Sequence, residues 1–171
     1  NSILTTKGSF ITVQNSSGTN VGLIGTADNV ISGGSSTNLG ISTGGGELVF
    51  GSGGTTERMR IDSSGRLLVG TSTSRGDGST FQVVNDTANP IEVFRGQSLA
   101  AGPILLLNKS RGSTASPSAV TNNDETGSIA FKAYDGSSYV TSSLIRGFVD
   151  GTPGTNDMPG RLTFFTTADG A

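Results

Sequence analysis

The 171-residue sequence contains no cysteine, histidine or tryptophan, and only 14% of its residues are charged. Without histidine or cysteine, the chain has no imidazole acid or base, no thiol nucleophile, no disulfide and no structural zinc site. Any enzyme chemistry would depend on carboxylates. The net charge of −2 lacks the basic excess that phosphate-backbone binding requires, so we expect no nucleic-acid partner. The longest apolar run, residues 103–107, is far shorter than the ~20 residues of a membrane span, and we expect no membrane insertion.

Small residues dominate the composition. The sequence has 27 glycines, 24 serines and 22 threonines, which is too much glycine for a helical protein. The hydrophobic fraction of 32% lies below the usual ~45–50%, a figure that counts glycine. Regularly placed Ile, Leu, Val and Phe still argue for burial rather than disorder. We therefore expect a folded chain with a thin core.

Apolar and polar residues alternate in short runs that turn residues separate. Asn15-Ser-Ser-Gly18 and Asp62-Ser-Ser-Gly65 each lie between two such runs, where the Asx residue opens a turn and the glycine supplies a positive φ. Tyr134-Asp-Gly-Ser-Ser-Tyr139 is the clearest hairpin signal. No helical period is present, and one turn over 121–126 is the most helix we expect. The predicted strands span residues 10–14, 20–24, 47–50, 58–61, 66–69, 81–84, 91–94, 104–108, 127–134, 139–149 and 162–166.

Residues 28–46 carry too few apolar side chains to be buried by one chain, namely Val30, Ile31, Leu39 and Ile41. Identical chains packed around a common axis would supply the missing faces. The sequence therefore predicts an all-β, elongated homotrimeric fibre with little or no helix. Two architectures remain open, a triple-stranded β-helix and a string of small threefold β-modules.

The pattern Gly-x-(Leu/Ile)-x-Phe occurs at residues 46–50, 127–131 and 160–164. In a strand, alternation places the Leu or Ile and the Phe on the same face. We expect these apolar pairs to pack between chains. They are Leu48 with Phe50, Ile129 with Phe131, and Leu162 with Phe164.

Residues 57–61 form the most conspicuous polar cluster. Strict alternation would place Glu57, Met59 and Ile61 on one face, with Arg58 and Arg60 on the other. In a trimer the apolar face would turn to the axis or to an adjacent sheet. The arginines would pair with carboxylates of neighbouring chains and fix the strand register, with Glu57 or Asp62 as candidates. Ligand binding is the alternative role.

The stretch TTERMRIDSSGRLLVGT at 55–71 resembles the T-E-R-M-R-I-x-x-x-G-x-v-x-I-G-T signature of tail fibre and related appendage proteins of tailed bacteriophages. Residues 127–131, 135–136 and DMPGRLTFFTTADG at 157–170 look like the same family's N-D-M-P-G-x-L-x-F-x-T-T-x-D-G stretch. The resemblance implies a homotrimeric β-structured fibre segment of a virion. It also implies other tail or baseplate proteins as partners and a further Glu-Arg-Met-Arg-Ile copy beyond residue 171.

Three regions follow from these patterns: an N-terminal β-repeat segment over 1–72, a connector with a strand pair over 73–102, and a C-terminal β-module over 103–171. The expected function is a structural, non-enzymatic tail-fibre or appendage segment that connects the particle to a host-recognising end and serves host attachment. The expected location is the virion, which is assembled in the bacterial cytoplasm.

Two other functions are weighed against this one. A glycan- or receptor-binding module would contact the host directly, using Tyr134 and Tyr139 as sugar platforms. A glycan-depolymerising spike would need two cooperating acids, whereas the adjacent Asp124 and Glu125 point to opposite faces of a strand.

Asp150 and Asp157 flank a loop that could approach the geometry of an acid pair or of a Ca²⁺ site. We interpret them instead as residues that turns demand. We therefore expect no catalytic residue, no cofactor and no metal.

Overall fold

The computed structural model describes residues 3–5, 10–76, 78–96, 98 and 100–169. It is 42% strand and 3% helical, which confirms the prediction of a β-rich chain with little helix. The chain divides into two compact units, Asn1–Val93 and Phe94–Ala171.

The first unit contains two four-stranded sheets. The N-terminal sheet is antiparallel and has the strand order β1-β2-β3-β4. Its strands are β1 (Ile3–Thr5), β2 (Phe10–Gln14), β3 (Asn20–Thr26) and β4 (Leu39–Thr43), and a one-turn helix, α1 (Ala27–Val30), follows β3.

The second sheet has the order β5-β6-β7-β8, in which β8 runs parallel to β7 and the other pairs are antiparallel. Its strands are β5 (Leu48–Gly51), β6 (Glu57–Ile61), β7 (Leu67–Val69) and β8 (Phe81–Val83).

The second unit is built around one antiparallel sheet, called here the C-terminal sheet, with the order β11-β12-β13. A small two-stranded ladder of β9 (Arg111–Gly112) and β10 (Pro117–Ser118) precedes it. The three main strands are β11 (Glu125–Tyr134), β12 (Tyr139–Val149) and β13 (Gly160–Thr166).

The Asx turns predicted from the sequence are present. Asn15 Oδ1 accepts hydrogen bonds from the backbone N–H groups of Ser17 and Thr19, each at 3.0 Å. Asp62 Oδ1 accepts from Ser64 and Arg66 in the same way, each at 2.9 Å. The side-chain oxygen thus accepts hydrogen bonds from backbone N–H groups that have no backbone acceptor in the turn, which is why Asx residues recur at these positions. Asp135 likewise caps the β11–β12 hairpin by accepting from two backbone N–H groups at 2.7 Å.

The helix α1 lies where the sequence indicated none, and it consists of a single turn. It forms because tertiary packing fixes it, since four residues cannot display a helical period. Ala27 and Val30 are buried, and a Cβ on Gly40 would lie 2.9 Å from the Cα of Ala27. The absent side chain of Gly40 therefore lets the turn pack directly on the sheet.

Two predicted strands, over 91–94 and 104–108, are wrong, because these residues belong to no sheet. Their apolar composition favours a strand, yet neither run pairs with a described strand of its own chain. Conversely, β4 lies within residues 28–46, where the sequence analysis predicted no strand.

The described residues bury few apolar side chains. Those below about a tenth exposed are Ala27, Val30, Leu68, Val120 and Val149. Such a core is small for a chain of this length, since a domain of ~150 residues normally buries about 70% of its unfolded surface. The thin core predicted from the composition is therefore present.

Candidate functional site: open apolar sheet faces

The second sheet has one face made entirely of apolar side chains. Strand register places Leu48 opposite Ile61, and Phe50 opposite Met59, so these four side chains point the same way. Pairing to β7 and then to β8 extends the row across the sheet. The members of this face, called the second-sheet apolar face, are Leu48, Phe50, Met59, Ile61, Leu67, Val69, Phe81 and Val83. All of them are half-buried or exposed in the single chain.

The opposite face of the same sheet is covered by the chain itself around Leu68, while Val49 on that face stays half exposed. Leu68 is only 1% exposed and lies beside Gln82, which is also buried. The Gln82 amide donates to Ser74 Oγ and to the carbonyl of Ser79, while its oxygen accepts from the backbone N–H of Arg75. The segment between β7 and β8 therefore covers this face at Leu68 and Gln82.

A bulge in β6 corrects the predicted alternation at the polar cluster. Phe50 pairs with Met59 but Gly51 pairs with Glu57, so Arg58 is an extra residue in its strand. The bulge turns Glu57 onto the face of Arg60, whereas strict alternation had placed Glu57 with Met59. Arg60 Nε donates to Glu57 Oε1 at 2.6 Å, and its guanidinium also pairs with Glu47.

These ion pairs lie within one chain. The hydrogen bonds from Arg60 lower the pKa of Glu57. Asp62, the other predicted partner, binds Arg66 Nε at 2.7 Å through its second oxygen. Both carboxylates proposed to pair between chains are thus engaged inside their own sheet, and Arg58 lies exposed at the bulge.

The N-terminal sheet repeats the design of the second sheet. Its covered face carries Gly25 opposite Gly40, and α1 packs there. Its other face carries Ile24 opposite both Ile11 and Ile41, with further apolar residues in the neighbouring rows. Within the described residues nothing covers that second face. Its apolar members are Ile11, Val13, Ile24, Leu39 and Ile41.

The C-terminal sheet also presents an apolar face. Register aligns Ile129, Ile145 and Phe164 in one row, and Gly127, Gly147 and Leu162 in the next. Phe131 lies on the same face, and Phe164 reaches 75% exposure. The members of this face, called the C-terminal apolar face, are Ile129, Phe131, Ile145, Leu162 and Phe164. The Leu or Ile and the Phe of each sequence repeat share a face, as the alternation predicted.

Eight of the ten residues predicted to pack between chains are therefore distributed over two open faces. Strand pairing adds further residues to these two faces. They include Leu67, Val69 and Phe81 on the second sheet and Ile145 on the C-terminal sheet, and the sequence could have revealed them only if the strand register were known. The alternation of residues 66–69 and 81–84 was the available signal. It indicates which side chains share a face of one strand, but not which strands lie side by side.

The single chain exposes more surface than a compact monomer of its mass would. The single chain exposes 12799 Å². A compact monomer of its mass, 17.2 kDa, exposes about 7800 Å², and two separate domains of half that mass would expose about 9400 Å² together. The single chain thus exposes about 3000 Å² more than two compact domains of the same total mass would.

Polar clamps close one end of the C-terminal sheet. Arg111 donates to both oxygens of Asp124 at 2.7 Å, and Thr121 N–H donates to the same carboxylate. The side-chain hydrogen bond from Arg111 holds the pKa of Asp124 far below its usual range. Arg161 pairs with Asp150 at 2.7 Å. Asp124 and Asp150 are thus occupied in ion pairs that tie loops to strands.

The described residues contain no group of three acidic, His or Cys side chains that could hold a metal ion. Asp157 lies in the loop flanked by Asp150, where its backbone exchanges hydrogen bonds with Gly154. Among the residues that the structure describes, no helix is long and apolar enough to cross a bilayer.

Comparison with known proteins adds no relative: the chain matches no family model, and no curated protein sequence matches it. The signature at 55–71 folds as β6, an Asx turn and β7, which form the middle of the second sheet. Of the second similar stretch, 157–170, all but residue 170 lies within the described residues.

Proposed function

We propose that this chain is a structural, non-enzymatic segment of a homotrimeric β fibre on a bacteriophage virion, where it connects the particle to a host-recognising end. One observation carries the proposal: each main sheet leaves most of one apolar face exposed in the single chain. The resemblance of residues 55–71 to the tail-fibre signature supplies the virion context. Its other partners would be tail or baseplate proteins.

Identical chains are the occupants that suit these faces. The second-sheet and C-terminal apolar faces carry no charged side chain, so copies could meet without burying an unpaired ion. Apart from the exposed Arg58, the charges near β6 already pair within the chain. A threefold arrangement would also present each host-binding end in three copies, which raises avidity through effective concentration.

Ile61 and Val49 provide a matched test of the trimer. In the single chain they are 40% and 47% exposed, and they lie on opposite faces of the second sheet. We expect wild-type protein to have three times the 17.2 kDa chain mass in light scattering. Ile61→Asp should dissociate it, because a charge then enters the apolar interface, while Val49→Asp should leave the mass unchanged.

A stably folded wild-type monomer would overturn the proposal. So would equal behaviour of the two variants, because an aspartate at either half-exposed position costs a monomer about the same. Circular dichroism at matched concentration separates dissociation from unfolding.

A glycan- or receptor-binding module is the second candidate, favoured by the exposed pair Tyr134 and Tyr139 at the β11–β12 hairpin. Their ring centroids lie 5.4 Å apart with the planes tilted by 51°. Each ring therefore covers part of its neighbour and leaves a small stacking surface. Binding of purified bacterial surface polysaccharide that Tyr134→Ala abolishes, without a change in mass, would favour this function over a connector.

A further inference from the structure

Residues 104–107 form an apolar run that lies outside every sheet. Ile104, Leu105, Leu106 and Leu107 are between 50% and 71% exposed. None of their backbone groups is hydrogen-bonded to another described group. Four consecutive exposed aliphatic side chains are unfavourable in water, and the backbone groups beside them are free to pair with another strand.

The pattern of the run indicates a strand that is covered on both faces. A half-buried strand alternates apolar and polar residues, whereas a strand buried on both sides reads as a continuous apolar run. In the single chain only the end of the run has cover. Leu107 lies so close to Gly127 of β11 that a Cβ on that glycine would come within 2.9 Å of the Leu107 Cβ.

The edge strand β13, like the run 104–107, carries apolar side chains on both of its faces. It ends the order β11-β12-β13, so its outer side has no neighbour in the sheet. Leu162 and Phe164 lie on the C-terminal apolar face, and Phe165 points to the opposite face beside Leu144. All three are more than half exposed. An edge that is apolar on both faces suits an added strand that is also apolar on both faces.

Residues 104–107 are poorly placed to pair with the free edge of β13 in their own chain. Leu107 contacts β11, and β13 lies two strands away, which is about 10 Å at the usual strand spacing. The outer side of β13 is one strand further still. A second copy can supply the strand without breaking the Leu107 contact.

We propose that residues 104–107 of one chain add as a fourth strand to the free edge of β13 in a second copy. The inference rests on the proposed assembly and names the contact that would join its C-terminal units. Such a contact uses different surfaces on the two copies. It therefore closes into a ring when the rotation between copies is threefold.

Proline substitution tests the strand pairing. In the single chain Leu105 and Leu106 donate no backbone hydrogen bond, so losing the N–H costs nothing there. On an added edge strand, alternate N–H groups point to the neighbour. We therefore expect one of Leu105→Pro and Leu106→Pro to weaken assembly by about tenfold or more relative to alanine at the same site, and the other to match its alanine control.

A second measurement identifies the partner strand. The chain contains no cysteine, so Leu106→Cys combined with Phe165→Cys provides a clean pair for a flexible bismaleimide that spans neighbouring strands. We expect covalent trimers from the double variant and at most dimers from either single variant. Linkage within one chain only, or no linkage in an intact trimer, would overturn the inference.

The outcomes separate the two proposals. If wild-type protein is a monomer, the proposed function fails. If the trimer forms but both prolines behave like their alanine controls, and the amides of 104–107 exchange with deuterium as fast as in the dissociated Ile61→Asp variant, the strand addition fails while the trimer stands.

Discussion

The two units of the chain differ in how their sheets are closed. In the first unit, each sheet has one face covered by the chain itself: α1 packs on the N-terminal sheet, and the β7–β8 crossover packs on the second sheet. Among the described residues of the second unit, the buried apolar side chains are Val120 and Val149, and ion pairs of Arg111 and Arg161 hold the loops.

This difference shows two ways to stabilise a chain with little apolar material. Covering one face from within gives a sheet a core of its own and leaves the other face for assembly. The C-terminal sheet has less of its own core, since exposed ion pairs contribute only about 0–1 kcal/mol each. We therefore expect the first unit to keep more of its structure when copies are separated, and the second unit to depend more on its neighbours.

The largest effect should follow from opening the covered face of the second sheet. Leu68→Ala removes a side chain that is 1% exposed, and should lower the free energy of unfolding by about 2–5 kcal/mol. Val49 lies on the same face but is half exposed, so Val49→Ala should cost much less. Urea unfolding at one protein concentration measures both. Equal losses would mean that the crossover contributes no core.

A smaller effect should follow from displacing the helix on the N-terminal sheet. An alanine at Gly40 would overlap the Val30 side chain and press on the Ala27 backbone. Such overpacking costs typically about 1–3 kcal/mol of the free energy of unfolding. Gly46→Ala is the matched control, because a Cβ there meets nothing within 4 Å. If thermal unfolding shows the same midpoint for both variants, α1 does not close that face.

Much of the local structure could be predicted because it depends on local chemistry. Strand β2 was predicted to the residue, and the turns at Asn15 and Asp62 followed from Asx side chains and a nearby glycine. The shared faces of Leu48 with Phe50 and of Ile129 with Phe131 followed from alternation. Each of these features needs only residues that are close in sequence.

The sequence predictions fail where the local structure depends on a residue that is distant in sequence. The one-turn helix α1 depends on the absent side chain of Gly40, and no local sequence pattern predicts it. The face of Glu57 depends on a bulge at Arg58, which strict alternation cannot reveal. The runs at 91–94 and 104–108 have strand-like composition but pair with no described strand of their own chain. Sequence pattern gives the propensity of a strand and leaves its neighbour undetermined.

The smallest predicted effect is on the pH dependence of stability, and it tests the turn that joins β6 and β7. Backbone and side-chain hydrogen bonds from Arg66 lower the pKa of Asp62 below its ordinary value of about 3.8. A carboxyl whose pKa is lower in the folded chain stabilises it above the unfolded pKa, and this contribution is lost as the pH falls through the folded pKa. Stability of the second sheet should therefore decrease below about pH 4, and Asp62→Asn should flatten that decrease. Asp86→Asn, at an exposed site, should leave the pH profile of urea unfolding as in wild type. Identical profiles for Asp62→Asn and wild type would show that the turn does not contribute to the acid sensitivity of the first unit.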